Sequence, residues 1–174
     1  LSWSEQILRD NADHGSALFY AIDCTAGLMG TQIATGQLAA AGAVADQQRV
    51  AIERMVQLAK RPAISARVAS VFGRLALEQG RTDDARRIFL KALNSMEGAH
   101  SGDSSLRAAN LRAQLADVEM LRGQWETALA WHKRREQALL RAGSARGRKG
   151  TVTVEYAYTL LRLDRPAEAL AMLD

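Results

Sequence analysis

Apolar residues recur at helical spacing along most of the chain, and the clearest stripe lies within residues 82–96. Its apolar positions fall at i, i+3, i+4, i+7, i+8 and i+11, the spacing of one buried helix face. They are Ala85, Ile88, Phe89, Ala92, Leu93 and Met96. Together with the helical segment 63–79 and the turn at Gly80-Arg81, this stripe predicts two helices folded back on each other.

The same periodicity predicts an all-α chain of helices joined by short turns. They are expected over residues 3–13, 16–35, 37–60, 63–79, 82–96, 104–122, 124–141, 151–163 and from 165 onward. Thr82 is expected to be an N-cap, with Asp83 and Asp84 favouring the positive end of that helix. A break is expected at Arg61-Pro62, because the residue before a proline avoids the α region. No window approaches the roughly 18 apolar residues of a membrane span, so no membrane partner is predicted.

A turn residue followed by an alanine five positions later occurs four times. The pairs are Gly36 and Ala41, Gly80 and Ala85, Gly123 and Ala128, and Asp164 and Ala169, with turns spaced by 44, 43 and 41 residues. Twelve positions before the alanines stand Met29, Gly73, Ala116 and Ala157. Small residues that face each other let helix axes approach to about 8–10 Å, and a repeat of this length indicates stacked units. We predict one domain, 1–174, with units near 15–60, 63–97, 104–142 and 150–174.

The second unit carries the residue pattern of a known helical repeat. The matching residues are Phe72, Gly73, Gly80, Ala85, Phe89 and Ala92, with Trp125 just past the third turn. In type and spacing they resemble the tetratricopeptide repeat, in an extended form similar to that of MalT-type bacterial regulators and kinesin light chains. The resemblance weakens elsewhere. The third unit has His132 at the aromatic position and Arg135 at the second-alanine position. The first unit has Ala45 and Gln48 at these two positions. The fourth unit has Asp164 in place of the turn glycine.

The resemblance implies an α-solenoid, a right-handed superhelix of about four antiparallel helix pairs with a partial helix ahead of them. It also implies a protein–protein interaction scaffold, whose concave surface of first helices (helix A) binds a peptide or a partner's helix. The residues at those positions are Arg67, Arg74, Asn110, Gln114, Asp117, Glu155 and Tyr158. The alternative is that these residues of mixed charge are only solvated helix faces. The Lys-x-x-x-Asn pair with which some family members grip a C-terminal carboxylate does not occur.

The resemblance to MalT-type regulators implies a second function. The chain is then the effector-sensing regulatory domain of a bacterial transcription regulator or signalling protein, although its sequence contains no DNA-binding module. The first function predicts a protein or peptide partner, and homo-oligomer formation is left open. The chain begins at Leu1 with no initiator Met or signal-peptide pattern, which predicts an excerpt of a larger protein. A single cysteine, Cys24, fits a cytoplasmic location.

Basic residues cluster near the end of the third unit. The formal net charge is +4, and residues 133–149 contribute +6 from seven basic residues and one acidic residue, so the remainder sums to −2. The basic residues are Lys133, Arg134, Arg135, Arg141, Arg146, Arg148 and Lys149. They suit phosphate or an acidic protein surface, but a solvated helix face and loop is the preferred interpretation. Nucleic-acid binding is not expected, because only Trp131 offers a stacking ring nearby, and Gly143–Gly150 lacks the spacing of a phosphate-binding loop.

Ionisable residues give little indication of catalysis. His14, His100 and His132 are not paired at metal-ligand spacing with one another or with Cys24, so no metal, cofactor or enzyme activity is predicted. His132 lies on the apolar stripe of its helix and is expected to be packed in the core, with a pH switch as the alternative. Cys24 is expected to be buried as a small apolar residue. The tryptophans are expected to anchor packing: Trp3, Trp125 and Trp131.

Overall fold

The computed structural model describes residue 6 and residues 15–59, 62–97, 106–141 and 154–172. Eight helices lie in these ranges: α1 (Gly15–Ala34), α2 (Leu38–Ala59), α3 (Pro62–Glu78), α4 (Thr82–Glu97), α5 (Leu106–Leu121), α6 (Trp125–Arg141), α7 (Val154–Arg162) and α8 (Pro166–Ala171). The described part of the chain contains no strand. The all-α prediction is therefore confirmed. The predicted helix over 3–13 lies outside the described residues, apart from Gln6, which is helical.

We number the pairs of consecutive helices that are joined by a short turn as hairpins 1 (α1–α2), 2 (α3–α4), 3 (α5–α6) and 4 (α7–α8). Pro62 is the first residue of α3, one residue earlier than predicted. Proline is tolerated there because a backbone N–H in the first helical turn would have no intrahelical acceptor. Contacts divide the chain into two compact units, Leu1–Ile88 and Phe89–Asp174, and the division falls inside α4.

In the first unit α1 packs against both α2 and α3, and α2 also packs against α3. One apolar cluster contains Ala21, Ile22, Ala51, Ile52 and Ile64. A second contains Met29, Ile33, Ala41, Ala45 and Leu75. Phe72 packs against both clusters and so links them. Met29 and Ala41, which the sequence predicts to face each other across the first turn, lie together in the second cluster.

The predicted burial of Cys24 is wrong, because its side chain is exposed. The buried face of α1 includes Ala21, Ile22 and Met29. Residue 24 lies two positions beyond Ile22, which is about 200° around the helix and therefore on the opposite side. Apolar neighbours in sequence do not imply an apolar environment when the residues belong to a helix.

In the second unit α6 packs against α5 and α7, and α7 packs against α8. The apolar cluster of this unit consists of Leu129, Tyr156, Leu160 and Ala169, with Ala157, Leu163 and Met172 against it. Ala157 and Ala169, predicted to face each other across the fourth turn, therefore meet in one cluster. In the fourth helix pair, as in the first, the residues at the two signature positions lie in one apolar cluster.

All four turns have one hydrogen-bonded geometry. At the second turn the N–H of Gly80 donates to the Leu77 carbonyl at 2.9 Å, and the N–H of Arg81 donates to the Ala76 carbonyl at 2.8 Å. This pair of bonds is the Schellman motif, which requires a left-handed residue just past the helix end. The same two bonds close the turns at residues 36, 123 and 164. The backbone φ angles are 75°, 76°, 73° and 57°, the last at Asp164.

The alanine of each signature provides the N–H of the first α-helical hydrogen bond of the next helix. The N–H groups of Ala41, Ala85, Ala128 and Ala169 donate to the carbonyls of residues 37, 81, 124 and 165 over 2.9–3.3 Å. All four alanines are buried. The carbonyl of Arg81 accepts the first bond of α4, so Arg81 and not Thr82 is the N-cap. Only one residue separates the left-handed Gly80 from the helix, and that residue has to be the cap.

Candidate binding site on the third hairpin

Hairpin 3 places ionisable residues at positions that are apolar in hairpin 2. Because Gly80 and Gly123 are 43 residues apart, each residue of α5 and α6 has a counterpart 43 positions earlier. By this register four ionisable residues of hairpin 3 have uncharged counterparts in hairpin 2. The pairs are Arg112 with Ala69, Glu119 with Ala76, His132 with Phe89, and Arg135 with Ala92. The four counterparts are buried, as are all of the ionisable residues except the half-buried Arg135. Burying such groups costs free energy unless they are well paired, so helix packing alone does not explain them.

His132 is packed in the core, as the sequence predicts, and is only 2% exposed. Its Nε2 lies 3.4 Å from the hydroxyl oxygen of Thr159. That hydroxyl donates to the Glu155 carbonyl oxygen at 2.7 Å, so it accepts a bond from the imidazole only when Nε2 carries the proton. Burial is the main cause that lowers the pKa of His132 to about 4, with the positive charge of Arg135 adding to it and Glu155 opposing it. The imidazole is therefore neutral at pH 7.

The charges of two carboxylates on different helices act on Arg135. Burial lowers the pKa of its guanidinium, and the nearby charges of Glu155 on α7 and Asp117 on α5 act in the opposite direction. Asp117 and Glu155 are both predicted binding residues, from different repeat units. Both carboxylates therefore act on one guanidinium, a relationship that the sequence did not predict.

Tyr158, also a predicted binding residue, belongs to a small aromatic and cationic cluster. It remains 45% exposed, and its ring meets Trp125 edge-on with centroids 5.9 Å apart. The guanidinium carbon of Arg162 lies 4.8 Å from the centroid of the Trp125 ring. These contacts restrict the tyrosine ring while leaving part of it open to solvent. Sequence reasoning missed Arg162, although its position four residues after Tyr158 places it on the same helix face.

The remaining predicted binding residues fall into two groups. Asn110 is exposed and Gln114 is partly buried on α5, in the same unit as Asp117. Arg67 and Arg74 lie on α3 in the first unit. Arg67 forms an ion pair with Asp23 of α1, and the Nε of Arg74 lies 3.9 Å from a Glu78 carboxylate oxygen.

The basic segment is not a uniform solvated face. Lys133 and Arg134 are exposed, but Arg135 is half-buried, because it lies three positions after His132 and seven after Ala128 on the inward side of α6. Trp131 is half-buried and lies beneath Arg134, whose guanidinium carbon is 4.9 Å from the ring centroid. The rest of the predicted basic patch lies outside the described residues: Arg146, Arg148 and Lys149. The same is true of three other residues considered in the sequence, Trp3, His14 and His100.

The described residues contain neither a metal-binding cluster nor a membrane-spanning helix. No three histidine, cysteine, aspartate or glutamate side chains in residues 15–59, 62–97, 106–141 and 154–172 are grouped so that they could hold a metal ion. None of the helices there is both long and apolar enough to cross a membrane.

The fold is that of an α-helical repeat protein, built from consecutive helix hairpins with equivalent turns. No protein-family model and no curated protein matches the sequence. Among solved structures the chain is similar to BtubC (BKLC) from P. vanneervenii, with a TM-score of 0.71 and 16% sequence identity. The match covers 98% of this chain and 67% of the BtubC chain. At this identity the likeness shows the fold alone.

Proposed function

We propose that the chain is a protein-interaction module that binds an extended peptide or a partner's helix. The binding site is the α5–α7 surface, by which we mean Asn110, Gln114, Asp117, Glu155 and Tyr158. The observation that carries the proposal is that the charges of Asp117 and Glu155 both act on the guanidinium of Arg135. From it we infer that side chains from the first helices of two successive hairpins contribute to one site.

The register of the surface also supports peptide binding. Gln114 and Glu155 are 41 residues apart, as are Asp117 and Tyr158, so each pair occupies equivalent positions in hairpins 3 and 4. Equivalent positions on successive helices repeat along a surface, and a peptide backbone with side chains at regular intervals can match such a repeat. The tetratricopeptide resemblance of the sequence supports the same class of partner.

The chemistry of the surface favours a particular kind of peptide. It offers the carboxylates of Asp117 and Glu155 and one partly exposed aromatic ring, that of Tyr158. A ligand with a basic side chain next to an apolar one would meet both features. Tyrosine is enriched among residues that dominate interface energies, and the contacts of Tyr158 with Trp125 reduce the entropy that its side chain would lose on binding.

Selection from a random peptide library tests the proposal. Phage-displayed peptides of about twelve residues would be selected on the 174-residue chain, and the affinity of an enriched peptide would be measured by fluorescence anisotropy. We expect Tyr158→Ala and Asp117→Asn each to weaken binding by about tenfold or more. Glu126→Gln is the matched control, since it removes an exposed carboxylate from α6. Failure to enrich any peptide, or equal loss in all three variants, would contradict the proposal.

A further inference from the structure

A recess lies between the end of α4, α5 and α6, all within the second unit. Its volume is about 440 Å³. The residues that line it are Glu97, Arg112, Arg134, Gln137, Ala138 and Arg141. Three guanidinium groups and one carboxylate therefore face the same space, and the wall is positively charged. None of these residues belongs to the α5–α7 surface.

Arg112 forms the buried part of this wall, with only 3% of its side chain exposed. Its Nη2 donates to Oε1 of Glu97 at 3.0 Å, while the Glu97 side chain is 44% exposed. The repeat register places Thr25 and Ala69 at the equivalent positions of hairpins 1 and 2, and both are buried and uncharged. Helix packing at this position therefore does not require a guanidinium, and burying one carries a large desolvation cost.

The α6 side of the recess has a face suited to ligand contact. Four residues of α6 fall at i, i+3, i+4 and i+7, which places them on one side of the helix. They are Arg134, Gln137, Ala138 and Arg141. Ala138 is buried, and its methyl group leaves room for the recess between longer neighbours. Arg134 is held above the Trp131 ring, so its guanidinium is partly fixed before any ligand arrives.

We propose that this recess binds a small, multiply charged oxyanion of the phosphate or polycarboxylate type. Guanidinium groups suit such ligands because their planar N–H donors match two oxygens of one phosphate or carboxylate group. An anion here would add a negative partner for the buried Arg112 beside Glu97. The site goes beyond the interaction function, and neither of the two depends on the other.

Isothermal titration calorimetry of the 174-residue chain with pyrophosphate and with citrate, at low ionic strength, tests the proposal. We expect saturable binding of at least one of these probes. Arg134→Gln and Arg141→Gln should each weaken it by about tenfold, the loss expected for one charge-assisted contact. Lys133→Gln is the matched control, because Lys133 is exposed on α6 next to Arg134 but does not line the recess. It should change the affinity by less than about twofold.

The two probes distinguish the sources of the anion, since tighter pyrophosphate binding assigns a phosphate ligand and tighter citrate binding a polycarboxylate. Absence of saturable binding by either probe would overturn the proposal. So would an equal loss in Lys133→Gln, which would indicate general attraction to a basic surface, or wild-type affinity in both arginine variants. A peptide bound to the α5–α7 surface should keep its affinity in Arg134→Gln, so failure of one site is distinguishable from failure of the other.

Discussion

The imidazole of His132 lies nearly parallel to the ring of Tyr156, with centroids 4.9 Å apart and 7° between the planes. In this position the neutral imidazole takes the place that Phe89 has in hairpin 2. Its Nδ1 is buried and has no hydrogen-bond partner among the described residues. Protonation would place a charge on a ring whose second N–H finds no acceptor there, and the lowered pKa of His132 follows from this environment.

We predict that His132 makes the stability of the protein depend on pH. Its pKa is about 4 in the folded protein against an ordinary value of 6.5. Between these values only the unfolded chain binds the proton, so stability is fully present above pH 6.5 and falls as the pH is lowered towards 4. The loss over the whole window is about 3 kcal/mol. Urea unfolding at pH 7 and pH 5 would measure it.

The matched variant for this test is His132→Phe, which introduces the counterpart residue of hairpin 2. The difference in unfolding free energy between pH 7 and pH 5 should shrink by about 2 kcal/mol in this variant. Arg135 and Glu155, the charged groups that act on the imidazole, are unchanged, as are all other titrating groups. An unaltered pH dependence would show that another group is responsible.

Asp164→Gly is predicted to stabilise the protein. Asp164 adopts φ of 57° at the fourth turn, a left-handed conformation that costs an L-residue about 1 kcal/mol and glycine nothing. The reverse change, Gly123→Ala, should destabilise by a similar amount. A Cβ at Gly123 would meet no atom within 4 Å, so the penalty there is conformational and not steric. Thermal unfolding of both variants checks the pair, and a destabilised Asp164→Gly would contradict the turn geometry.

Ala128→Trp is predicted to disrupt hairpin 3. Ala128 is fully buried where α6 begins to pack, and overpacking of a core costs about 1–3 kcal/mol or more. Ala130→Trp provides the control on the same helix, because residue 130 is exposed. Circular dichroism during heating should show a lowered Tm for the first variant and a nearly unchanged Tm for the second. Equal effects would mean that the small-residue position is not needed for close packing.

The fold followed from local patterns in the sequence, and the site did not. Helical periodicity placed the helices, and the turn-then-alanine signature located the four Schellman turns, because both depend on residues close in the chain. The action of Asp117 and Glu155 on Arg135 involves three helices, so the sequence did not predict it. The handedness of the superhelix and the identity of the partner stay predictions.

One signal for the site was present in the sequence. The 43-residue register that aligns Gly80 with Gly123 also aligns Arg112 with Ala69, so a charged residue at a small, buried position could have been found. His132 and Arg135 were recognised as departures from the repeat pattern. Both residues share the interior of hairpin 3 with Arg112 and Glu119. This grouping became evident only from the burial of each residue in the structure.

We expect the polar interior of hairpin 3 to serve binding and not stability. The double variant His132→Phe with Arg135→Ala, which restores the counterparts Phe89 and Ala92, tests it most directly by urea unfolding at pH 7. We predict a free energy of unfolding equal to or greater than that of the wild type, because a buried imidazole and a half-buried guanidinium are replaced by apolar side chains. A loss of more than about 2 kcal/mol would contradict the claim, since these residues would then be supporting the fold.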